Sequence, residues 1–173
     1  MKDNIIKILD EIAVDLQDEE SCEKWTSEVK SRIVTLGEKQ GYWVYTDSKV
    51  MMKLPNGGKN RDVDVGEWLY DLVWLEYEED VLINTHLLLE SEWDTTQKEI
   101  DDDFEKLLLG KSELKVMIFS AENRTDFLQK INRMKMKIQG FKHTQSGEKY
   151  LFSGWVYETN HFSHEYYVVN QTE

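Results

Sequence analysis

Glu90 and Glu92 stand two residues apart, directly after Leu87, Leu88 and Leu89. In a strand that spacing sends both carboxylates to one face. Apolar strands seldom spend such positions on glutamate unless something compensates the charge. Residues 67–77 and 81–93 read as two strands joined by a turn at Glu78-Glu79-Asp80. A turn centred near residue 80 sets Asp71 opposite Glu90. Three carboxylates, Asp71, Glu90 and Glu92, are then expected to converge, and without a cation they repel each other. Mg²⁺ or Mn²⁺ is the natural remedy, because hard cations take oxygen ligands and keep places for water and phosphate. Such an ion generates a nucleophilic hydroxide and stabilises charge on a reacting phosphorus.

The elements that must hold these residues are legible around them. Ile5, Leu9, Ile12 and Leu16 recur at helical spacing. Ser21 is an N-cap for a second helix with Trp25, Val29, Ile33 and Leu36 on one face, stopping near Gly41. Residues 42–45 form a short aromatic strand. Pro55-Asn56-Gly57-Gly58 marks a turn within residues 47–65. After Glu92 a helix opens with Thr96 and Glu99 at capping-box spacing. Its apolar stripe is Ile100, Phe104, Leu107 and Leu108, and Gly110 closes it. Residues 114–120 are apolar enough for a sheet centre. Residues 124–140 form a helix with Phe127, Ile131, Met134 and Ile138 inward. Residues 149–158 and 162–169 form a hairpin. This order predicts an α/β sandwich around a mixed β-sheet.

Composition narrows the function classes. The chain has 173 residues, 40% of them hydrophobic, which suits one domain with a proper core. The single Cys22 excludes an internal disulfide and fits a reducing, cytoplasmic setting. The N-terminus lacks the apolar run of a signal peptide, and no stretch is long enough for a spanning helix, so no membrane partner is expected. The net charge of −13 works against non-specific binding of phosphate backbones. Basic charge is nonetheless concentrated: residues 124–149 carry seven basic side chains against two acidic ones, and residues 47–61 carry four against one. Lys130, Arg133 and Lys137 in the first of these segments are candidates for nucleic-acid backbone contacts.

Other chemistry-bearing residues lead less far. His161 and His164 have metal-like spacing but sit at a hairpin without further ligands. His86 is placed by strand alternation on the face of Glu90. Asn56-Gly57-Gly58-Lys59 lacks the spacing of a phosphate loop. Trp43, Trp68, Trp74 and Trp93 fall in predicted strands, which favours core packing over base stacking.

A helix, a strand, a long hairpin with Asp on one arm and an acidic pair on the other, then a helix and a central apolar strand resembles the core of the PD-(D/E)XK nucleases, the restriction-endonuclease-like superfamily. The likeness covers roughly residues 21–119 and is strongest over ESEWDTTQKEIDDDFEKLLLGKSELKVMIF. It implies a restriction-endonuclease-like α/β/α sandwich with an extra N-terminal helix. In one domain, residues 1–20 would be a helical extension, 21–120 the nuclease-like core, and 121–173 a C-terminal helix and hairpin.

By position, Asp71 matches the metal-binding Asp and Glu90 the acidic member of the (D/E)XK element. Glu92 stands where the family usually has Lys. Glu28 matches the acid of the first core helix more weakly. Some members carry the lysine on the following helix instead, and Lys106 in Asp103-Phe104-Glu105-Lys106 is the candidate here. Its other reading is an i, i+3 surface partner of Asp103. The resemblance implies an Mg²⁺- or Mn²⁺-dependent endo- or exonuclease acting on DNA or RNA, with Asp71, Glu90, Glu92 and Lys106 in the site. The alternative is a non-catalytic acidic binding or regulatory module on the same fold, contacting another protein, which the net charge and the missing lysine favour.

Overall fold

The computed structural model describes residues 1–17, 19, 21–46, 69–94 and 96–170. Among these residues the order is α1 (Lys2–Asp15), α2 (Cys22–Lys39), β1 (Trp43–Thr46), β2 (Leu72–Glu78), β3 (Val81–Glu92), α3 (Gln97–Leu109), β4 (Leu114–Ala121), α4 (Arg124–Gly140), β5 (Lys149–Val156) and β6 (His161–Val168). The six strands make one open sheet in sequence order, β1-β2-β3-β4-β5-β6. β1, β2 and β3 pair antiparallel, β3-β4 and β4-β5 parallel, and β5-β6 antiparallel. The fold is therefore α/β with a mixed sheet.

Hydrophobic patterning explains the layers. The two parallel steps need crossover helices, α3 and α4. Both steps advance in the same direction across the sheet, so crossovers of one hand fall on one face. There Ile100, Phe104, Phe127 and Ile131 pack on Val73, Leu88, Met117 and Phe119. On the other face α1 and α2 bring Ile5, Leu9, Val29 and Ile33 against Leu72, Trp74, Leu87 and Leu89. Strands covered on both sides lose their polar alternation, which is why every residue of β4 is buried. Ile5, Leu9 and Ile12 are fully buried, so α1 completes the core of its face.

Close approach fixes two joints. A Cβ on Gly37 would lie 2.5 Å from Trp74 Nε1 and 2.8 Å from Val44 Cγ2, so α2 seats on β1 and β2 only with glycine there. A Cβ on Gly110 would lie 2.2 Å from Leu88 Cδ1 and 2.5 Å from the Tyr70 hydroxyl, at the end of α3.

Local expectations meet the structure closely. Ser21 caps α2, with its Oγ accepting from Lys24 N at 3.3 Å. Thr96 is the N-cap residue of α3, but its side chain makes no cap hydrogen bond. Its hydroxyl is spent on Asp94, which accepts from Thr96 Oγ1 at 2.5 Å and Thr96 N at 2.7 Å. β2 starts at Leu72, and Leu69, Tyr70 and Asp71 form a bend instead of continuing the strand. Residues 47–68, with the Lys49, Lys53, Lys59 and Arg61 cluster and Trp68, lie outside the described residues.

Candidate active site

The β2-β3 register decides which carboxylates meet. Leu72 pairs with Leu89, Val73 with Leu88 and Trp74 with Leu87. Continued by one residue, this register sets Asp71 beside Glu90, as the turn position predicts. The register shifts nearer the turn, between Trp74 and Leu75 and between Glu76 and Tyr77, leave this end untouched. They do move His86. The first shift makes it a bulge residue, and its ring stacks on Tyr42 at 4.0 Å, on the α2 side. Its nitrogens face Glu76 Oε2 at 2.8 Å and Glu113 Oε2 at 3.2 Å. The alternation argument that put His86 beside Glu90 fails because the bulge interrupts the alternation.

Asp71 sits in the bend just before β2. Its Oδ2 accepts from Ser91 N at 2.9 Å and Ser91 Oγ at 2.8 Å. Its Oδ1 accepts from Lys30 Nζ at 2.9 Å. Lys30 comes from α2 and is 6% exposed. Sequence reasoning missed it, although a signal was present: Lys30, Ile33, Val34 and Gly37 follow the helical period of a buried stripe, and all four are buried. The acid expected from this helix, Glu28, instead pairs with Arg32 at 2.7 Å on the outer side.

Glu90 is 1% exposed on the α3 side of the sheet, and its Oε1 has no hydrogen-bond partner among the described residues. Lys106 Nζ, from α3, lies 3.6 Å from that oxygen and 2.6 Å from Asp103 Oδ1. Lys106 is the i, i+3 partner of Asp103 and also approaches Glu90. The Tyr70 hydroxyl donates to Lys106 O at 3.3 Å, which fixes this turn of α3 over the site.

Burial, followed by the charge of Asp71, pushes the Glu90 carboxyl up to about 8, and Lys106 only partly offsets this. Burial of Lys106 favours losing its proton, but the hydrogen bond to Asp103 and the charges of Glu90, Asp103 and Asp71 prevail, so it holds its proton above the ordinary lysine value. Lys106 is thus a permanent ammonium at neutral pH, able to donate and to stabilise negative charge but not to act as a base.

Comparison with protein families, with curated proteins and with solved structures finds no match.

Glu92 separates from the other two acids. Its Oε1 accepts from Asp94 N at 2.6 Å. Burial raises its proton affinity, and that hydrogen bond opposes the rise. Among the described residues no group of three or more His, Cys, Asp and Glu is arranged to hold a metal ion. Of the three carboxylates expected to converge, Glu92 is turned onto the backbone that leads to α3. The charge of Asp71 is met by Lys30, whereas Lys106 beside Glu90 only partly offsets the burial that favours the protonated carboxyl.

The basic residues of α4 are engaged. Lys130 is 4% exposed and donates to Ser120 O at 2.9 Å while pairing with Asp126 at 3.0 Å. A lysine so buried cannot present its charge to a phosphate backbone. Arg133 donates twice to Asp101, at 2.8 Å and 2.5 Å. Lys137 pairs with Glu105 and lies 3.6 Å from Asp101. The Arg133 and Lys137 contacts tie α4 to α3.

Proposed function

We propose that the protein is a PD-(D/E)XK-like nuclease that hydrolyses phosphodiester bonds of DNA or RNA with Mg²⁺ or Mn²⁺. The observation that carries this reading is the approach of Lys106 to the buried Glu90 Oε1, 3.6 Å apart, at the strand end where Asp71 also lies. The sequence order of β1 to β4, with α3 crossing between the parallel pair β3 and β4, supports the restriction-endonuclease-like core that the sequence suggested.

The residues fit a hard divalent ion in its modest form. Such ions accept one or two carboxylates and complete their shell with water and phosphate oxygens. Among the described residues, Glu90 Oε1 has no hydrogen-bond partner and Asp71 Oδ1 accepts only from Lys30, which leaves a lone pair. Asp71 and Glu90 would hold the ion. Bound there, the ion would lower the proton affinity of water and neutralise phosphate charge.

The chain's own residues supply the rest. Ser91 N and Oγ fix the Asp71 carboxylate at the strand end. Asp103 and the carbonyl contact from Tyr70 position Lys106. The Lys106 ammonium donates to the attacking water or to a phosphate oxygen and offsets the charge that develops there. The test is cleavage of mixed DNA and RNA substrates with Mg²⁺ or Mn²⁺, comparing wild type with Asp71→Ala and Glu90→Ala. Cleavage abolished by both substitutions supports the reading; cleavage that survives both removes the site assignment.

One observation favours a non-catalytic module that contacts another protein. Lys130, Arg133 and Lys137 are already paired within the fold, which leaves a net acidic molecule with little free cation on α4. Absence of both turnover and Mn²⁺ binding in the pure protein would support it.

A further inference from the structure

Lys30 occupies an unusual place. It rises from the buried stripe of α2, on one side of the sheet, and ends 2.9 Å from Asp71 Oδ1. Glu90 and Lys106 lie toward α3, on the other side. The site is thus bracketed by two ammonium groups from two helices, and only Lys106 corresponds to anything in the expected motif. Lys30 is also the more secluded of the two: its side chain is 8% exposed, against 35% for Lys106.

The hydrogen bonds of Asp71 define what Lys30 does. Oδ2 is saturated by the two Ser91 donors, so Oδ1 is the oxygen left to serve a ligand. Lys30 binds that same oxygen. A fixed ammonium there holds the carboxylate in one orientation, and its charge repels any second cation that shares the oxygen. At a separation of a few ångströms in a partly buried site this repulsion is large.

We propose that Lys30 is a positioning residue of the site, holding Asp71 for catalysis while weakening the grip of Asp71 on a divalent cation. The proposal rests on the nuclease reading. It makes metal affinity and turnover move in opposite directions when the charge is removed, whereas a merely structural lysine would lower both.

The test is Mn²⁺ titration by calorimetry or electron paramagnetic resonance on the full chain. Lys30→Gln keeps a donor to Asp71 without the charge, Lys30→Met removes both, and Lys30→Arg keeps the charge. Lys30→Gln is expected to bind Mn²⁺ about tenfold more tightly than wild type, with slower hydrolysis at saturating metal, and Lys30→Arg to return toward wild-type affinity. Binding by Lys30→Gln alone would also support the proposal. Should Lys30→Met fail to fold, the Gln and Arg variants decide the matter. Wild type that binds Mn²⁺ with Lys30→Gln no tighter overturns the role of Lys30 and leaves the nuclease reading standing. Absence of Mn²⁺ binding in every variant overturns both.

Discussion

Lys106 Nζ lies 3.6 Å from Glu90 Oε1, across the gap between α3 and β3. In the proposed nuclease reading, the lysine that the motif places on the strand beside Glu90 would come from the next helix, while the strand position itself carries Glu92. The stem of Lys106 reaches back from the edge of the apolar stripe of α3, as long amphipathic side chains do.

Lys106→Ala is predicted to lower hydrolysis by roughly 10²–10³-fold, the usual loss when a donor that stabilises developing charge is removed. Melting temperature should change little, because Lys106 is partly exposed and its pair with Asp103 is local. Equal cleavage rates for variant and wild type under saturating Mg²⁺ would assign the lysine to structure alone.

The Glu90 carboxyl gives a stability signature that needs no substrate. Its folded value of about 8 lies above the ordinary value of 4.5. Between those limits the folded state binds more protons than the unfolded state, so stability falls as pH rises from about 4.5 to 8. Glu90→Gln removes this dependence. The variant should melt close to wild type near pH 4.5 and be more stable near pH 8, by on the order of a few kcal/mol. Parallel melting curves for the two proteins across that range would contradict the burial argument.

Lys115 is 1% exposed within β4 and donates to Glu148 Oε2 at 2.7 Å. Tyr150 joins them, its hydroxyl 2.6 Å from the same oxygen. Burial opposes ionisation of Glu148, but the hydrogen bonds from Lys115, Tyr150 and Gln145 N outweigh it and hold the carboxyl below its ordinary value. This stabilisation is complete above about 4.5 and is lost as pH falls through the lower folded value. Lys115→Met should cost about 2 kcal/mol at pH 7, the usual worth of a hydrogen bond to a charged group, and flatten the acid limb of the stability profile. Urea titrations at pH 7 and at pH 3 would measure both effects.

Arg133 ties α4 to α3. Arg133→Ala should lower the melting temperature, because Asp101, itself 6% exposed, loses its two-point partner. The salt dependence of nucleic-acid binding should stay as in wild type. A shallower salt slope in the variant would restore Arg133 to the phosphate-contacting set.

The sequence by itself determined the elements and the near end of the hairpin. Helical spacing at Ile5 and Leu9, the Ser21 cap, and the apolar runs of β3 and β4 are local properties that report local structure. The β2-β3 register away from the turn also followed, since a turn centred near residue 80 sets Leu72 opposite Leu89. Local pattern was silent where partners come from distant elements. Lys30 is 41 residues from Asp71, and no periodicity connects them. The bulge that turns His86 away breaks the alternation on which its placement relied. Lys130 shows a basic side chain in the sequence and a buried one in the fold, because only the packing of α4 on β4 decides where its ammonium ends. Tertiary structure alone decided how the charge of the acidic site is balanced: two lysines on opposite sheet faces meet carboxylates that the strands bring side by side.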